Sequence, residues 1–398
     1  MILYPNSQRS GAVVPLVAVM IVFMLGMIAF GVDIGYIAVT QKEVQNAADA
    51  AAMAGTSQLR DRNALKGAPS QSAVVAAART TAQLFSGKNT GGGVSLQLDA
   101  NGSNDPAGDI VVGRINNPTN LSDPLDTTPS KKFNSVQARV RRNPAQNGSL
   151  KLFFGSVLGR GTQDLAARAT ATYEDAISGF RIAGSGVTNS KLLPFTLQVN
   201  QWTNAPTDPW YDSSLPDGVM QGNGPDDWSY NPTTQAYTNG SDGIHEVKLY
   251  PTKGTTPGNF GTVDLGLANN STSDISRQIL YGPNQTDMDA MGGSIALGAN
   301  GTLVVQGDTG ISAGFKDELA AIRGQPRIIP LYTTVVGQGN NTYYTVVGWA
   351  GVIITDVQLT TGDKYVTIQP EYVTDGSAKG GGSASSSFFV TKPLRLTR

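Results

Sequence analysis

No cysteine occurs in the 398 residues, and histidine occurs once, at His245. The first absence removes disulfides, thiolate nucleophiles and thiolate zinc sites. The second excludes, within one chain, any centre that needs two imidazoles, and it confines Ser-His-Asp chemistry to one place. At that place His245-Glu246 is followed by Leu249, where a zincin helix carries its second histidine. Ser185, in Gly184-Ser185-Gly186, lacks the flanking spacing of a nucleophile elbow. His245 is therefore read as structural. A surplus of one charge sign is missing too. Lys and Arg number 29 against 30 Asp and Glu, a net charge of −1, which gives no argument for nucleic acid as a partner. The balance is uneven along the chain: residues 1–176 carry 16 basic against 12 acidic residues, and the remainder 13 against 18.

The most telling absence is local. From Ala12 to Val32 there is no charged residue over 21 positions, and about 20 suffice to cross the hydrocarbon core as a helix. A cleavable secretory signal has an apolar region of about 7–15 residues closely followed by a small-residue site. Here Asp33, Tyr36 and Gln41 precede any Ala-x-Ala triplet, so the span is expected to stay as an anchor. Asp33 marks the membrane boundary, where it either meets water or pairs with a neighbouring cation. From there to Arg62 the sequence has good helix formers and no proline. The expectation is one helix over 12–62, roughly 75 Å long, with its outer half standing clear of the bilayer as a stalk. Arg9 before the span and Lys42, Arg60, Arg62 and Lys66 after it, offset by Glu43, Asp49 and Asp61, give no orientation by the positive-inside count.

Small residues four apart recur along this helix: Gly31 and Gly35, then Ala47, Ala48, Ala51, Ala52 and Gly55. Such spacing lets helix backbones approach closely. It serves lateral packing against copies or a partner anchor, or packing of the stalk on its own globular body.

Three stretches carry a resemblance. Arg9-Ser10-Gly11 before the span, Val32-Asp33-Ile34-Gly35-Tyr36 after it, and Gln45-Asn46-Ala47-Ala48-Asp49-Ala50-Ala51-Ala52-Met53-Ala54-Gly55 together resemble the N-terminal segment of the TadG-like proteins of Flp/Tad pilus assembly. The resemblance covers roughly the first 50 residues, and the later body is similar to large pilus-assembly proteins of this type only in outline. It implies an inner-membrane, single-pass protein with its body outside the cytoplasm. The implied partners are the lipid bilayer and other Tad components or copies of itself. Pilins carry Glu at the fifth position after the processed glycine, whereas Leu16 stands there after Gly11 and Pro15 intervenes. Asp375-Gly376-Ser377-Ala378-Lys379 lacks the second serine of a von Willebrand A metal motif, so that domain is not expected.

Downstream, abundant glycine (47) and proline (21) with Asn, Thr and Ser point to a loop-rich, mostly β body. The fold class is α+β: a short segment 1–11, the span and stalk 12–62, a small α+β domain 64–177, a larger mainly β domain 178–375, and a linker with a C-terminal extended segment over 376–398. A helix is expected from Ser70 through Leu84 and an amphipathic helix over Leu150–Leu158. Strands are expected around Asp109–Ile115, Asn134–Arg142 and Leu165–Tyr173, and a hairpin joins Arg327–Val336 to Thr342–Leu359. Lys131, Lys132, Arg139, Arg141, Arg142 and Lys151 are expected to form a basic face, solvated or docked on anionic lipid or an acidic partner.

Between 190 and 250, Trp202, Trp210, Trp228, Tyr230 and Tyr237 alternate with acids on Gly/Asn turns. Asp217, Asp226, Asp227 and Asp242 are candidate ligands for Ca²⁺, which takes oxygen donors from flexible loops, although Asn239–Glu246 lacks the order of an EF-hand loop. No other cofactor and no small-molecule substrate is expected. The leading reading is a non-enzymatic envelope protein of pilus assembly. Two alternatives remain: a pilin-like subunit whose helices form the core of an extracellular filament, and a glycan-active enzyme using acids such as Asp226 and Asp242. For the last, no spacing in the sequence sets two carboxylates the required ~5–10 Å apart.

Overall fold

The computed structural model describes residues 13–60, 62–65, 71–128, 132–202, 226–250, 261–266, 271–308, 313–360, 364–381 and 387–397. Helix α1 runs unbroken over Val13–Gln58, 46 residues and about 70 Å. Pro15 lies in its first turn, where the missing N–H costs no intrahelical bond. Beyond Asp33, the buried residues of α1 are Thr40, Val44, Ala47, Ala48, Ala51, Ala52, Gly55 and Thr56. This is the three- and four-residue spacing of one helix face. Helix α2, Gln71–Gly87, lies along it with Val74, Val75, Ala78 and Ala82 buried in the same core. At their contact a Cβ added to Gly55 would stand 3.1 Å from the Ala78 carbonyl oxygen and 3.2 Å from Ala82 Cβ. Only glycine fits there without displacing a neighbour.

Both helices cover one face of an antiparallel sheet made of β1 (Ile110–Gly113), β2 (Ser135–Arg142) and β3 (Leu165–Thr172), with Arg395–Leu396 pairing the outer edge of β3. Strand β2 turns Val136, Ala138 and Val140 into the core, and β3 turns in Ala167, Ala169 and Ala171. Alanine facing alanine keeps α1 close to the sheet. The Thr56 hydroxyl bridges the layers: it lies 2.8 Å from the Ala52 carbonyl oxygen and 3.1 Å from both the Ala171 oxygen and the Val136 nitrogen.

The larger sheet has β8 (Tyr343–Gln358) as its spine. In chain order its companions are β4 (Ile177–Phe180), which belongs to a small neighbouring sheet, then β5 (Val247–Tyr250), β6 (Leu303–Gln306), β7 (Arg327–Val336) and, after the spine, β9 (Tyr365–Pro370). Strand β7 pairs along its own full length with the Tyr343–Val352 part of β8, from Arg327↔Val352 to Val336↔Tyr343. The other side is shared in turn by β6, the parallel Ser387–Phe388 and β9, with β5 outside β9. Successive strand residues point to opposite faces. Ile329, Leu331, Val352 and Ile354 accordingly join Trp202, Leu249, Ile279 and Leu319 in one core, while Ile328, Tyr332, Val346 and Trp349 join Phe180 and Met288 in another. The sheet is buried on both sides. Helix α3, Thr272–Tyr281, is capped by Ser271, and α4, Gln285–Ala290, by an Asn284/Asp287 capping box.

The architecture is α+β, with the long N-terminal helix and the large β-rich C-terminal region that the sequence implies. The outer half of α1 packs on the body, with its alanine face at the centre of the first core. Two local expectations change. Leu150–Leu158 is no continuous helix: it holds a two-residue strand, Leu150–Lys151, and a 3-10 turn, Gly155–Leu158, because Gly155 and Gly159 break the run. The stretch after Asp375, expected as a flexible linker, instead supplies the strand Ala378–Gly380, paired with β4, while Asp375 and Ser377 are buried.

Candidate functional site

Among the described residues α1 is the one helix long and apolar enough to cross a membrane. Its large apolar side chains over Val13–Val32 are all exposed, from 45 % at Val32 to 75 % at Val14. None of the other described residues covers them. Fifteen large apolar side chains left bare on one helix far exceed the scattered exposure normal for a soluble surface. An added Cβ at Gly31 or Gly35 would meet nothing within 4 Å. Each glycine is two residues from Asp33, which at about 100° per residue sets both on nearly the opposite side of α1.

Asp33 is only 6 % exposed. Its oxygens accept from the backbone N–H of Phe153 at 2.9 Å and of Phe154 at 3.0 Å, and it pairs with no cation among the described residues. One turn further out the Tyr36 ring lies 5.0 Å from that of Phe153, and its hydroxyl donates to the Gly92 carbonyl at 3.4 Å. Glu43 accepts from the Gly92 N–H at 2.6 Å. Gln41 donates to the Ala166 carbonyl at 2.9 Å. The body is thus bonded to α1 from the first residue after the apolar run. The alanines that sequence spacing singled out, Ala47, Ala48, Ala51 and Ala52, have no exposed surface, and Gly55 is buried beside them. Of the two uses that small-residue spacing suggests, these five positions serve packing on the chain's own body. Gly31 and Gly35 stay uncovered.

Where α1 ends, Arg62 reaches from a 3-10 turn (Arg62–Leu65) into the second unit. It donates to Asp242 at 2.9 Å, to Gln369 at 3.0 Å and to Glu371, and its guanidinium lies 4.8 Å from the Tyr230 ring centre. Asp242, a calcium candidate by sequence, is thereby an ion-pair partner of Arg62. Asp226 accepts from the Ser241 hydroxyl at 2.5 Å and from the N–H groups of Asp242 and Gly243 at 2.9 and 3.0 Å. Asp227 is exposed, and Asp217 lies outside the described residues. Among the described residues no three His, Cys, Asp or Glu side chains converge as a metal site. Sequence reasoning missed Arg62 because its four partners lie 168 to 309 positions away, at Tyr230, Asp242, Gln369 and Glu371.

The basic residues do not form one face. Arg142 is buried and donates to the carbonyls of Gly91 and Gly148. Arg139 and Arg141 both reach the Ala107 carbonyl, and Arg141 pairs with Asp109 at 2.8 Å. Lys132 lies 5.2 Å from the Phe389 ring centre. Lys131 is outside the described residues, and Lys151 is exposed. The described aromatics of the 190–250 stretch fall in two places, with the Tyr237 ring centre 6.5 Å from that of Trp228 and 4.8 Å from that of Tyr230, and Trp202 apart from them. Trp202 fills the core against Phe388 and Phe389, while Trp228 and Tyr237 flank the Arg323 guanidinium at 5.3 and 5.2 Å. Gly310-Ile311-Ser312-Ala313-Gly314 does have nucleophile-elbow spacing. However, the strand before it, β6, is antiparallel to its neighbour, unlike the parallel strand from which such an elbow rises, and Ser312 is outside the described residues.

Residues 11–68 match the model of the Tad family, TadE/G-like Flp pilus-assembly proteins. The matched stretch contains the apolar half of α1, Asp33, the alanine face and Arg62, and a β-rich body follows it. No curated protein and no solved structure matches the chain.

Proposed function

We propose that this chain is a non-enzymatic, single-pass component of Flp/Tad-type pilus assembly, held in the inner membrane by Val13–Val32 with its β-rich body outside the cytoplasm. The observation that carries the reading is the continuity of α1. One helix joins a half left bare by the other described residues to a half at the centre of the first core. Force or orientation imposed on the membrane span therefore passes directly to the body, without a flexible joint. The TadE/G-like match over the same residues supports pilus assembly as the setting.

Lateral contact, with other Tad components or with copies, falls to the side of α1 turned away from the body, where Gly31 and Gly35 offer close approach. The large sheet, buried on both faces, acts in this reading as a rigid platform for protein partners. Carbonate extraction with protease accessibility and N-terminal sequencing tests the proposal. The chain should stay in the membrane pellet, with its body digested only from the outer side and its mature N-terminus ahead of Val13. A mature chain beginning after Val32, or recovery in sheared extracellular fibres, would overturn it; the latter outcome favours a filament subunit. In a membrane association reporter, Gly31→Leu with Gly35→Leu should weaken self-association several-fold, and unchanged association would remove the lateral-packing role.

A further inference from the structure

The ten residues Lys151–Arg160 (KLFFGSVLGR) form a loop fastened at both ends. Leu150 and Lys151 pair with Gln163 and Thr162, and Arg160 N–H donates to the Gly155 carbonyl at 2.8 Å across the 3-10 turn. Despite this fastening, the apolar side chains are left outside: Phe153 is 63 % exposed, Phe154 44 % and Val157 84 %. The run contains no acid and is bracketed by exposed Lys151 and Arg160. An apolar tip flanked by cations matches the chemistry of a bilayer's boundary zone, where anionic headgroups lie over acyl chains.

The loop's position gives the second argument. Asp33, the first residue after the apolar run of α1, holds the backbone N–H groups of Phe153 and Phe154, and the Tyr36 ring lies tilted against that of Phe153. The loop therefore lies at the height along α1 where the exposed apolar surface ends. We propose that this loop is a second membrane contact: Phe153, Phe154 and Val157 enter the boundary between headgroups and acyl chains, with Lys151 and Arg160 against the phosphates. A single helix leaves a body free to turn about the helix axis; a second contact beside it fixes which side of the body faces the membrane. The proposal rests on the reading of Val13–Val32 as a span.

The absence of cysteine makes the test direct. The full chain carrying one cysteine, at Val157, Leu25 or Leu121, is labelled with an environment-sensitive fluorophore and reconstituted in vesicles of phosphatidylethanolamine and phosphatidylglycerol. Leu121 is as exposed as Phe153 but lies beyond Gly113 and Ser135, at the other end of the sheet. The Val157 label should be quenched several-fold by lipids carrying a shallow nitroxide and shielded from aqueous iodide. The Leu25 label should respond to deep nitroxides, and the Leu121 label to iodide alone. Adding Phe153→Ser and Phe154→Ser should release the Val157 label to iodide and leave the Leu25 signal unchanged. Lipid quenching at Leu25 with only iodide quenching at Val157 would overturn the loop contact while leaving the span intact. Loss of lipid quenching at both would overturn the span and the loop together. Iodide shielding at Val157 that grows with protein density, without lipid quenching, would also overturn the proposal, in favour of contact between copies.

Discussion

The two halves of α1 share one backbone and differ in everything that surrounds it. Over Val13–Val32 large side chains stand bare; over Thr40–Thr56 small ones are sealed between α2, β2 and β3. By hydrophobicity alone the first half should be the more buried. The reverse holds because burial needs a complementary partner, and the body offers one to a face of small side chains, alanine, glycine and threonine with Val44, whose size permits close approach to β3. Oversized substitutions break this contrast most sharply. Ala51→Leu should destabilise the body by about 3 kcal/mol through overpacking, measured by denaturant unfolding in detergent. Gly31→Leu adds one carbon more on the same helix and should leave that unfolding curve unchanged. Equal losses from both would mean that the outer half is not the packed half.

A smaller effect sharpens the boundary between the halves. Asp33 is where the helix first acquires protein contacts, through two backbone donors. Asp33→Ala leaves the N–H groups of Phe153 and Phe154 without acceptors, at a cost of about 1–3 kcal/mol for each donor that stays buried. The expected result is hydrogen exchange at these two amides at least tenfold faster, with the Thr56 region unaffected. Asp33→Asn keeps one side-chain oxygen and should fall between the two. Unchanged exchange in the alanine variant would show that the loop is held by its own turn.

The half without a partner was the legible one. The uncharged run from Ala12 to Val32, the helix through Gln58 and the Tad-like residues are local patterns, readable from composition and spacing. The β-rich body and the Arg327–Val336 hairpin follow likewise from Val, Ile, Thr and Tyr around a Gly-Asn turn. What the alanines contact is not a local property. Ala47 to Ala52 have the same spacing whether they meet another helix or their own sheet, and β3 lies more than 100 residues away in sequence. The aspartates of the 205–246 region are ambiguous in sequence for a related reason. A carboxylate that binds calcium and one that accepts from neighbouring N–H groups occur on the same Gly/Asn turns, and that Asp226 accepts from Ser241, Asp242 and Gly243 while Asp242 pairs with Arg62 is not a local pattern.

The contrast between a group with a partner and one without also holds for carboxylates in the second unit, where it sets the smallest effect. Burial pushes the Asp264 carboxyl up to about 6, as do the nearby acids Asp274, Asp287 and Asp308, against the N–H of Gly266 that it accepts. Its unfolded value is 3.8, so between those values the native state holds a proton that the unfolded chain releases. The stability linked to that proton is fully present below about pH 4 and is lost as pH rises through 6. Asp264→Asn keeps an oxygen for Gly266 and removes the charge. It should raise the melting temperature at pH 8 by a few degrees and leave it unchanged at pH 4. A variant less stable than the parent at pH 8 would show that the Asp264 carboxylate is stabilised as an anion, and that the acids around it are too well screened to matter.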